Sequence, residues 1–123
     1  MLIALWIVNI ILALLMLGAG LTKALRSKEQ LAADPKMAWT EDFSPVQIRL
    51  IGIAEFLGAL GLILPLATGI APILTPIAAV GLAILMIGAV VVHIRRGEKP
   101  GPSLLLAMLA VASAVLGFLV VLS

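Results

Sequence analysis

The chain has 123 residues, of which 63% are hydrophobic and 11% are charged, and its formal net charge is +2. Soluble domains carry about 25% charged residues, so this composition argues against a soluble domain. The sequence contains no cysteine. Thiol redox chemistry, disulfide exchange, iron–sulfur ligation and thiolate zinc sites are therefore excluded.

Four long apolar runs with few charges cover nearly all of the chain. Apolar runs of about 18 or more residues are typical of membrane-spanning helices. We therefore expect an all-α integral membrane protein, a four-helix bundle that forms a single transmembrane domain over residues 1–123. Its antiparallel, up-down spans are predicted near residues 2–25, 45–65, 72–95 and 102–122.

The starts of the spans carry helix signals. The first run lacks a basic n-region and a small-residue cleavage site and is too long for an h-region, so we expect a span there rather than a secretory signal peptide. In the second span, Ser44 is the predicted N-cap, Pro45 the first helical residue and Gln47 the capping-box partner. The third span is predicted to begin at Pro72 or Pro76, and Pro76 is best placed in a first turn.

The first loop, residues 26–44, is the only long one, and it mixes charged residues with Trp39 and Phe43. Aromatic residues of this kind anchor a segment at the depth of the lipid headgroups. We interpret the loop as a cytoplasmic interfacial segment. A lid over a ligand site is the alternative interpretation.

All eight basic residues lie in or beside the two loops on one side of the predicted bundle. Cytoplasmic loops carry the excess of lysine and arginine, so we expect these loops in the cytoplasm and both termini outside. We expect this basic edge to contact anionic lipids rather than nucleic acid. Its members are Arg26, Lys28, Arg49, Arg95 and Arg96.

Glu55 is a carboxylate inside an apolar span, about 13 Å below the start of its helix by helical rise. An ionisable residue at that depth normally faces the bundle interior and indicates a functional site. Helical side chains lean toward the N-terminus of their own helix. By this argument Glu55 leans toward the cytoplasm while Lys23 and His93 lean inward, so the three can converge in a buried polar pocket.

Two roles remain open for this set. An ion pair between Glu55 and Lys23 would close the bundle near its cytoplasmic mouth, and His93 could hydrogen-bond either form of the acid. The alternative is a protonated Glu55 that hydrogen-bonds a backbone carbonyl as interhelical glue. Asn9, about 10 Å in from the opposite face, either caps the pocket from below or makes a helix–helix hydrogen bond. One histidine and one intramembrane carboxylate do not indicate a metal site.

Small residues recur on the spans at helical spacing. In the second span these are Ala54, Gly58 and Gly61. Small residues let membrane helices approach closely, so we interpret them as helix-packing residues. A dimer face is the alternative, and an isologous homodimer is the commonest oligomer.

Three segments, "AGLTK", "RLIGIAEFLGALGLILP" and "AAVGLAILMIGAVVVHIRRGE", resemble the DoxX-like family of small bacterial membrane proteins. They contain Lys23, Glu55 and His93. The resemblance implies a four-helix membrane bundle in the bacterial cytoplasmic (inner) membrane. It also implies one of two settings, since some relatives are quinone-facing membrane parts of thiosulfate:quinone oxidoreductase and others, such as the nicotinic acetylcholine receptor chaperone, assist membrane-protein assembly.

We weigh two functions. The first is a chaperone-like binding or assembly module that acts on lipids or another membrane protein through the polar pocket, with no cofactor of its own. The second is the quinone-facing subunit of an oxidoreductase, in which His93 or Lys23 would hydrogen-bond a quinone carbonyl and Glu55 would exchange its proton. A small transporter that uses Glu55 is a weaker idea. The chain shows no nucleophile constellation, so an enzyme is the less favoured class.

Overall fold

Four long helices and a short helical connection after the first make up the fold. A computed structural model describes residues 1–123, apart from the side chain of Lys36. The elements in chain order are α1 (Leu2–Leu25), α2 (Lys28–Ala32), a 3-10 helix (Pro35–Asp42), α3 (Pro45–Thr68), α4 (Leu74–Arg95) and α5 (Gly101–Val121). The described residues contain no strand. The prediction of an all-α protein is therefore confirmed.

The four long helices α1, α3, α4 and α5 have 21 to 24 residues each and are long and apolar enough to cross a membrane. Their 18-residue windows have mean hydropathies between 2.1 and 2.8. At 1.5 Å per residue, helices of this length match a hydrocarbon core of about 30 Å. The prediction of four spans is thus confirmed. The up-down direction of the spans, the placement of both termini outside and the cytoplasmic position of the loops stay predictions.

The second span ends later than the sequence suggested. We expected it to end at Pro65, but α3 continues to Thr68 with Pro65 inside its last turns. A proline within a helix leaves the carbonyl four residues before it without an N–H donor and crowds that carbonyl, but the helix here continues past Pro65 for three more residues. The helix ends instead where Gly69 adopts a left-handed conformation with φ of 73°, a common C-terminal cap for helices.

The predicted start of α3 is present in the structure. The Ser44 side chain accepts a hydrogen bond from the Gln47 amide, and the Gln47 side chain accepts one from the Ser44 amide. A second capping box, between Ser27 and Gln30, opens α2 in the loop where no regular helix was predicted. Pro76 lies in the first turn of α4, as expected, because a missing N–H costs little there.

The interior of the bundle is built mainly from small side chains. Its buried cluster contains seven alanines among twelve residues, with Leu12, Met16, Leu62, Leu82 and Met86 as its large members. Lipid tails are as apolar as these side chains, so packing rather than exclusion of water favours helix association. Small residues let the helices approach and gain van der Waals contact. The larger leucines and isoleucines remain mostly on the outer surface, where lipid would surround them.

Two glycines bring α1 and α3 into backbone contact. A Cβ atom added at Gly20 would lie 2.6 Å from the Gly52 carbonyl oxygen, and one added at Gly52 would lie 2.7 Å from the Gly20 carbonyl oxygen. Neither position has room for a methyl group, because the obstructing atoms belong to the backbone. The predicted packing stripe contained neither residue. Gly58 and Gly61 of that stripe face α4, where added Cβ atoms would meet Leu82 and Ala78.

We predict that Gly52→Ala destabilises the bundle by about 1–3 kcal/mol, the usual cost of overpacking a tight site. Gly18→Ala is the matched control, because a Cβ atom at Gly18 meets nothing within 4 Å. The free energy of unfolding, measured by titrating denaturing detergent into mixed micelles, checks both variants. Equal stability of the two variants would show that the crossing at Gly20 and Gly52 tolerates a methyl group.

Candidate functional site

A buried ion pair joins α1 to α3. The Lys23 Nζ atom lies 2.7 Å from the Glu55 Oε1 atom, and the two side chains are 11% and 1% exposed. Apart from this ion pair, the Glu55 oxygens have no hydrogen-bond partner among the described residues. A carboxylate inside a membrane span is costly unless it is paired. Lys23 supplies that pairing to Oε1, and the buried Oε2 atom has no hydrogen-bond partner among the described residues.

The glycine crossing positions this ion pair. Lys23 follows Gly20 by three residues, and Glu55 follows Gly52 by three residues, so each charged residue lies one turn from the backbone contact on the same helix face. A Cβ atom at Gly52 would lie 2.8 Å from the Lys23 Cβ atom, and one at Gly20 would lie 3.3 Å from the Glu55 Cβ atom. Each glycine therefore packs against the charged residue of the other helix, which holds the two side chains together.

Aromatic side chains lie next to the ion pair. The Trp39 ring centroid is 5.8 Å from the Lys23 Nζ atom, within the range of a cation–π contact. The Trp39 ring also packs edge-on against Phe43, at a centroid distance of 5.5 Å, and against His93, at 6.4 Å. Trp39 thus connects the first loop to α1 and to the end of α4.

These residues line a pocket of about 810 Å³. All four long helices and the 3-10 helix contribute to its walls, which are mostly apolar. The walls also carry Lys23 and Glu55 from the ion pair, together with His93, Glu98, Lys99 and Ser103. A cavity of this size with few polar groups is typical of a site for a small organic ligand. The structure therefore brings Lys23, Glu55, His93, Trp39 and Phe43 to one pocket.

His93 contacts a partner that the sequence did not suggest. Its Nδ1 atom lies 3.1 Å from the Glu98 Oε1 atom, in the turn that follows α4. Glu98 also lies 3.3 Å from the Arg96 Nε atom. His93 lines the pocket and is held by the turn that follows its own helix, rather than by Glu55 deeper in the bundle.

Arg96 joins the two loops at this end of the bundle. Its Nη1 atom donates a hydrogen bond to the Asp42 Oδ2 atom over 2.6 Å, and its Nη2 atom lies 3.9 Å from Glu41. The hydrogen bond to Asp42 raises the pKa of the Arg96 guanidinium above its ordinary value, so the arginine keeps its charge. We call residues 35–43 the cover segment. Its residues Trp39 and Phe43 line the pocket, and the ion pair between Asp42 and Arg96 holds the segment against the turn after α4.

Asn9 lies in a different polar cluster. Its Nδ2 atom donates to the Leu62 carbonyl over 3.0 Å, and its Oδ1 atom accepts a hydrogen bond from Ser113 over 2.5 Å. Asn9 is outside the pocket lining, because fourteen residues separate it from Lys23, or about 21 Å along α1. Asn9 thus joins α1, α3 and α5 by helix–helix hydrogen bonds, the second of the two roles that the sequence left open.

The other predicted residues lie at the surface or between helices. Arg26, Arg49 and Arg95 are exposed, and Lys28 donates a 3.4 Å hydrogen bond to the Glu41 carbonyl. Arg96 differs from them, since acidic side chains of both loops surround it. Ala54 is exposed on α3. Contact of the basic edge with anionic lipids stays a prediction.

Sequence reasoning missed several residues that shape the site. Gly20 and Gly52 carried a signal, because each precedes a charged membrane residue by three positions. Asp42 and Ser113 carried none, because their partners Arg96 and Asn9 lie far away in the sequence. Glu98 lies only five residues after His93, but its contact depends on the conformation of the connecting turn.

Comparison with known proteins gives one match. A family model described as the DoxX-like family matches residues 7–116. That range includes the four long helices almost completely and every residue that lines the pocket. No match was found among curated proteins or among solved structures.

We predict a non-additive double-mutant cycle for the ion pair. Lys23→Met and Glu55→Gln should each cost about 3–5 kcal/mol of unfolding free energy, because each leaves a buried polar or charged partner uncompensated. The double variant should cost less than the sum of the two. Unfolding titrations in mixed micelles measure all four proteins, with the exposed Arg49→Met as a control for loss of a charge. Additive losses would contradict a coupled pair.

We predict that Arg96→Gln loosens the cover segment without unfolding the bundle. Amide hydrogen exchange of residues 35–43 should accelerate, because the variant loses the ion pairs that join the two loops. Global stability should change little, since the acidic partners are solvent-exposed and surface ion pairs are weak. Arg95→Gln removes a neighbouring exposed charge and serves as the control. Unchanged exchange in Arg96→Gln would show that Arg96 does not hold the segment.

Proposed function

This chain belongs to the DoxX-like family, and from that premise we propose that it is a small membrane-embedded binding module for lipid-like amphiphiles. The observation that carries the proposal is the pocket of about 810 Å³ with a buried ion pair in its wall. Ligand sites commonly occupy about 300–1,000 Å³ and combine apolar walls with a few polar groups. The pocket has both properties.

The arrangement of polar groups favours an amphiphilic ligand. Lys23 and Glu55 lie along the apolar wall, while His93, Glu98 and Lys99 lie where α4 ends. An apolar part of the ligand would contact the apolar walls of the pocket. The polar head of the ligand would meet the ion pair and the polar side chains of His93, Glu98 and Lys99. Glu55 offers a carboxylate oxygen with no hydrogen bond among the described residues, which suits a head group that donates a hydrogen bond.

The cover segment supplies the entrance. Trp39 and Phe43 form part of the pocket wall, and Arg96 ties this segment to the turn after α4 through Asp42. Surface ion pairs are weak, so the segment can open at low cost. Ligand would then enter at the level of the lipid headgroups. An assembly role on another membrane protein would use the same pocket for an apolar segment of that partner.

A quinone-linked role is the second candidate. The Trp39 and His93 rings beside the ion pair favour it, because a flat ring stacks well against aromatic side chains and its carbonyls accept hydrogen bonds. Such a role needs an electron donor on another subunit. The sequence has no cysteine to hold an iron–sulfur cluster, and its one histidine is too few for bis-histidine haem ligation. The homodimer stays a prediction.

We predict that the purified protein retains a lipid-like molecule at close to one per chain, and that Gly88→Leu reduces its amount by about tenfold. Gly88 lines the pocket and a Cβ atom there meets nothing within 4 Å, so a leucine enters the pocket rather than the helix packing. Displacing two methylene groups from the pocket would cost about 1.6 kcal/mol, or more than tenfold in affinity. Gly18→Leu, on an open face outside the pocket, is the matched control.

The measurement is organic extraction after purification in mild detergent, followed by mass spectrometry. Equal retention by Gly88→Leu and Gly18→Leu would contradict ligand binding in this pocket. Stoichiometric quinone that is lost in Glu55→Gln or His93→Ala would favour the quinone-linked role. A membrane protein that co-purifies with Gly18→Leu but not with Gly88→Leu would favour the assembly role.

A further inference from the structure

A second cavity lies between α3 and α4, outside the pocket. Its volume is about 420 Å³, and we call it the side crevice. Its walls carry no charged residue among the described side chains. They consist of Ala54, Leu57, Gly58, Ala78, Gly81, Leu82, Ile84 and Leu85. Four of these eight residues are glycine or alanine, which leaves room for another group between the two helices.

The side crevice and the pocket share a wall. Ile84 and Leu85 line both cavities. They lie about 14 Å along α4 from His93, near the middle of a core of about 30 Å. The pocket therefore borders the side crevice at this depth, and the crevice continues along α4 to Ala78. The distance from His93 to Ala78 is about 22 Å by helical rise.

The side crevice opens to the outer surface of the bundle. Ala54 and Gly81 are exposed, and a Cβ atom added at Gly81 meets nothing within 4 Å. Gly58 is different, because its added Cβ atom would lie 2.6 Å from Leu82. Leu82 thus closes the crevice toward the core, while Gly81 leaves its lipid side open.

We propose that the side crevice holds the single hydrocarbon chain of the amphiphile whose head occupies the pocket. The inference rests on the proposed function. The two cavities differ in polarity in the way that the two ends of an amphiphile differ, since charged residues line only the pocket. Ile84 and Leu85 border both cavities, so a chain that passes beside these two residues would lie in each cavity in turn. The chain leaves sideways between α3 and α4, so the ligand needs no path through the tightly packed core.

Two variants block the side crevice without disturbing the core. Gly81→Leu fills the open side of the crevice, and leucine is a better helix former than glycine. Ala54→Leu fills it from the opposite wall, at an exposed position of α3. Gly18→Leu again provides the control, because it adds the same side chain at an open glycine outside both cavities.

The probes are monooctanoylglycerol and monopalmitoylglycerol, which share one hydroxylated head and differ in chain length. Binding is followed by the fluorescence of Trp39, which lines the pocket, in a Trp6→Phe background that removes the other tryptophan. We expect Gly81→Leu and Ala54→Leu to weaken binding of the long-chain probe by about tenfold and to leave the short-chain probe within about twofold, since each buried methylene contributes about 0.8 kcal/mol. Gly18→Leu should bind both probes like the parent protein.

The outcomes separate this inference from the proposed function. A parent protein that binds both probes equally well, with no change in either crevice variant, would overturn the inference while the pocket still binds ligand. A parent protein that binds neither probe would overturn the proposed function as well. Loss of a dimer in Gly81→Leu or Ala54→Leu, with unchanged probe binding, would show that the crevice meets a second copy of the chain and would also overturn the inference.

Discussion

The backbone contact between α1 and α3 at Gly20 and Gly52 is the constraint on which the site depends. It places Lys23 and Glu55 one turn further along their helices, with 2.7 Å between ammonium and carboxylate. A charged pair inside a membrane loses its hydration, and the attraction between the charges offsets that loss only when the geometry is close. A side chain at either glycine would push the helices apart and with them the pair. The glycines and the charges therefore work as one unit.

Polar contacts at three depths specify which elements are neighbours. Asn9 and Ser113 tie α1 to α5 and, through the Leu62 carbonyl, to α3. The ion pair ties α1 to α3 again, and Arg96 ties the turn after α4 to the cover segment. Apolar packing in lipid is similar for many helix arrangements, because lipid tails resemble leucine side chains. Hydrogen bonds and ion pairs between particular side chains thus select one arrangement.

The same polar groups divide the interior by chemistry. The pocket combines apolar walls with the ion pair and with the polar side chains of His93, Glu98 and Lys99. The side crevice is lined by small and aliphatic residues alone. The cover segment adds Trp39 and Phe43, amphipathic and aromatic groups suited to the membrane interface. This division is the basis of the proposed site for a molecule with a polar head and an apolar chain. The ion pair joins two helices and also supplies polar groups to the pocket wall.

Much of the fold followed from the sequence alone. Long apolar runs determined four spanning helices, because a bilayer requires every backbone polar group to be bonded within its own segment. Local signals placed the capping box at Ser44 and Gln47, since those contacts join residues three apart. The end of α3 was misplaced, because a proline near a C-terminus need not end a helix and the turn at Gly69 does so instead. Side-chain direction also suggested that Lys23 and Glu55 face each other.

Only the tertiary structure decided which surfaces meet. It selected Gly20 and Gly52 as the backbone crossing and gave Asn9 the partner Ser113. These contacts depend on the rotation and depth of each helix against its neighbours, and a uniformly apolar helix carries almost no periodic signal for its rotation. The composition of the chain determined that it forms membrane helices. The packing of their small and polar residues determined where a ligand could enter between them.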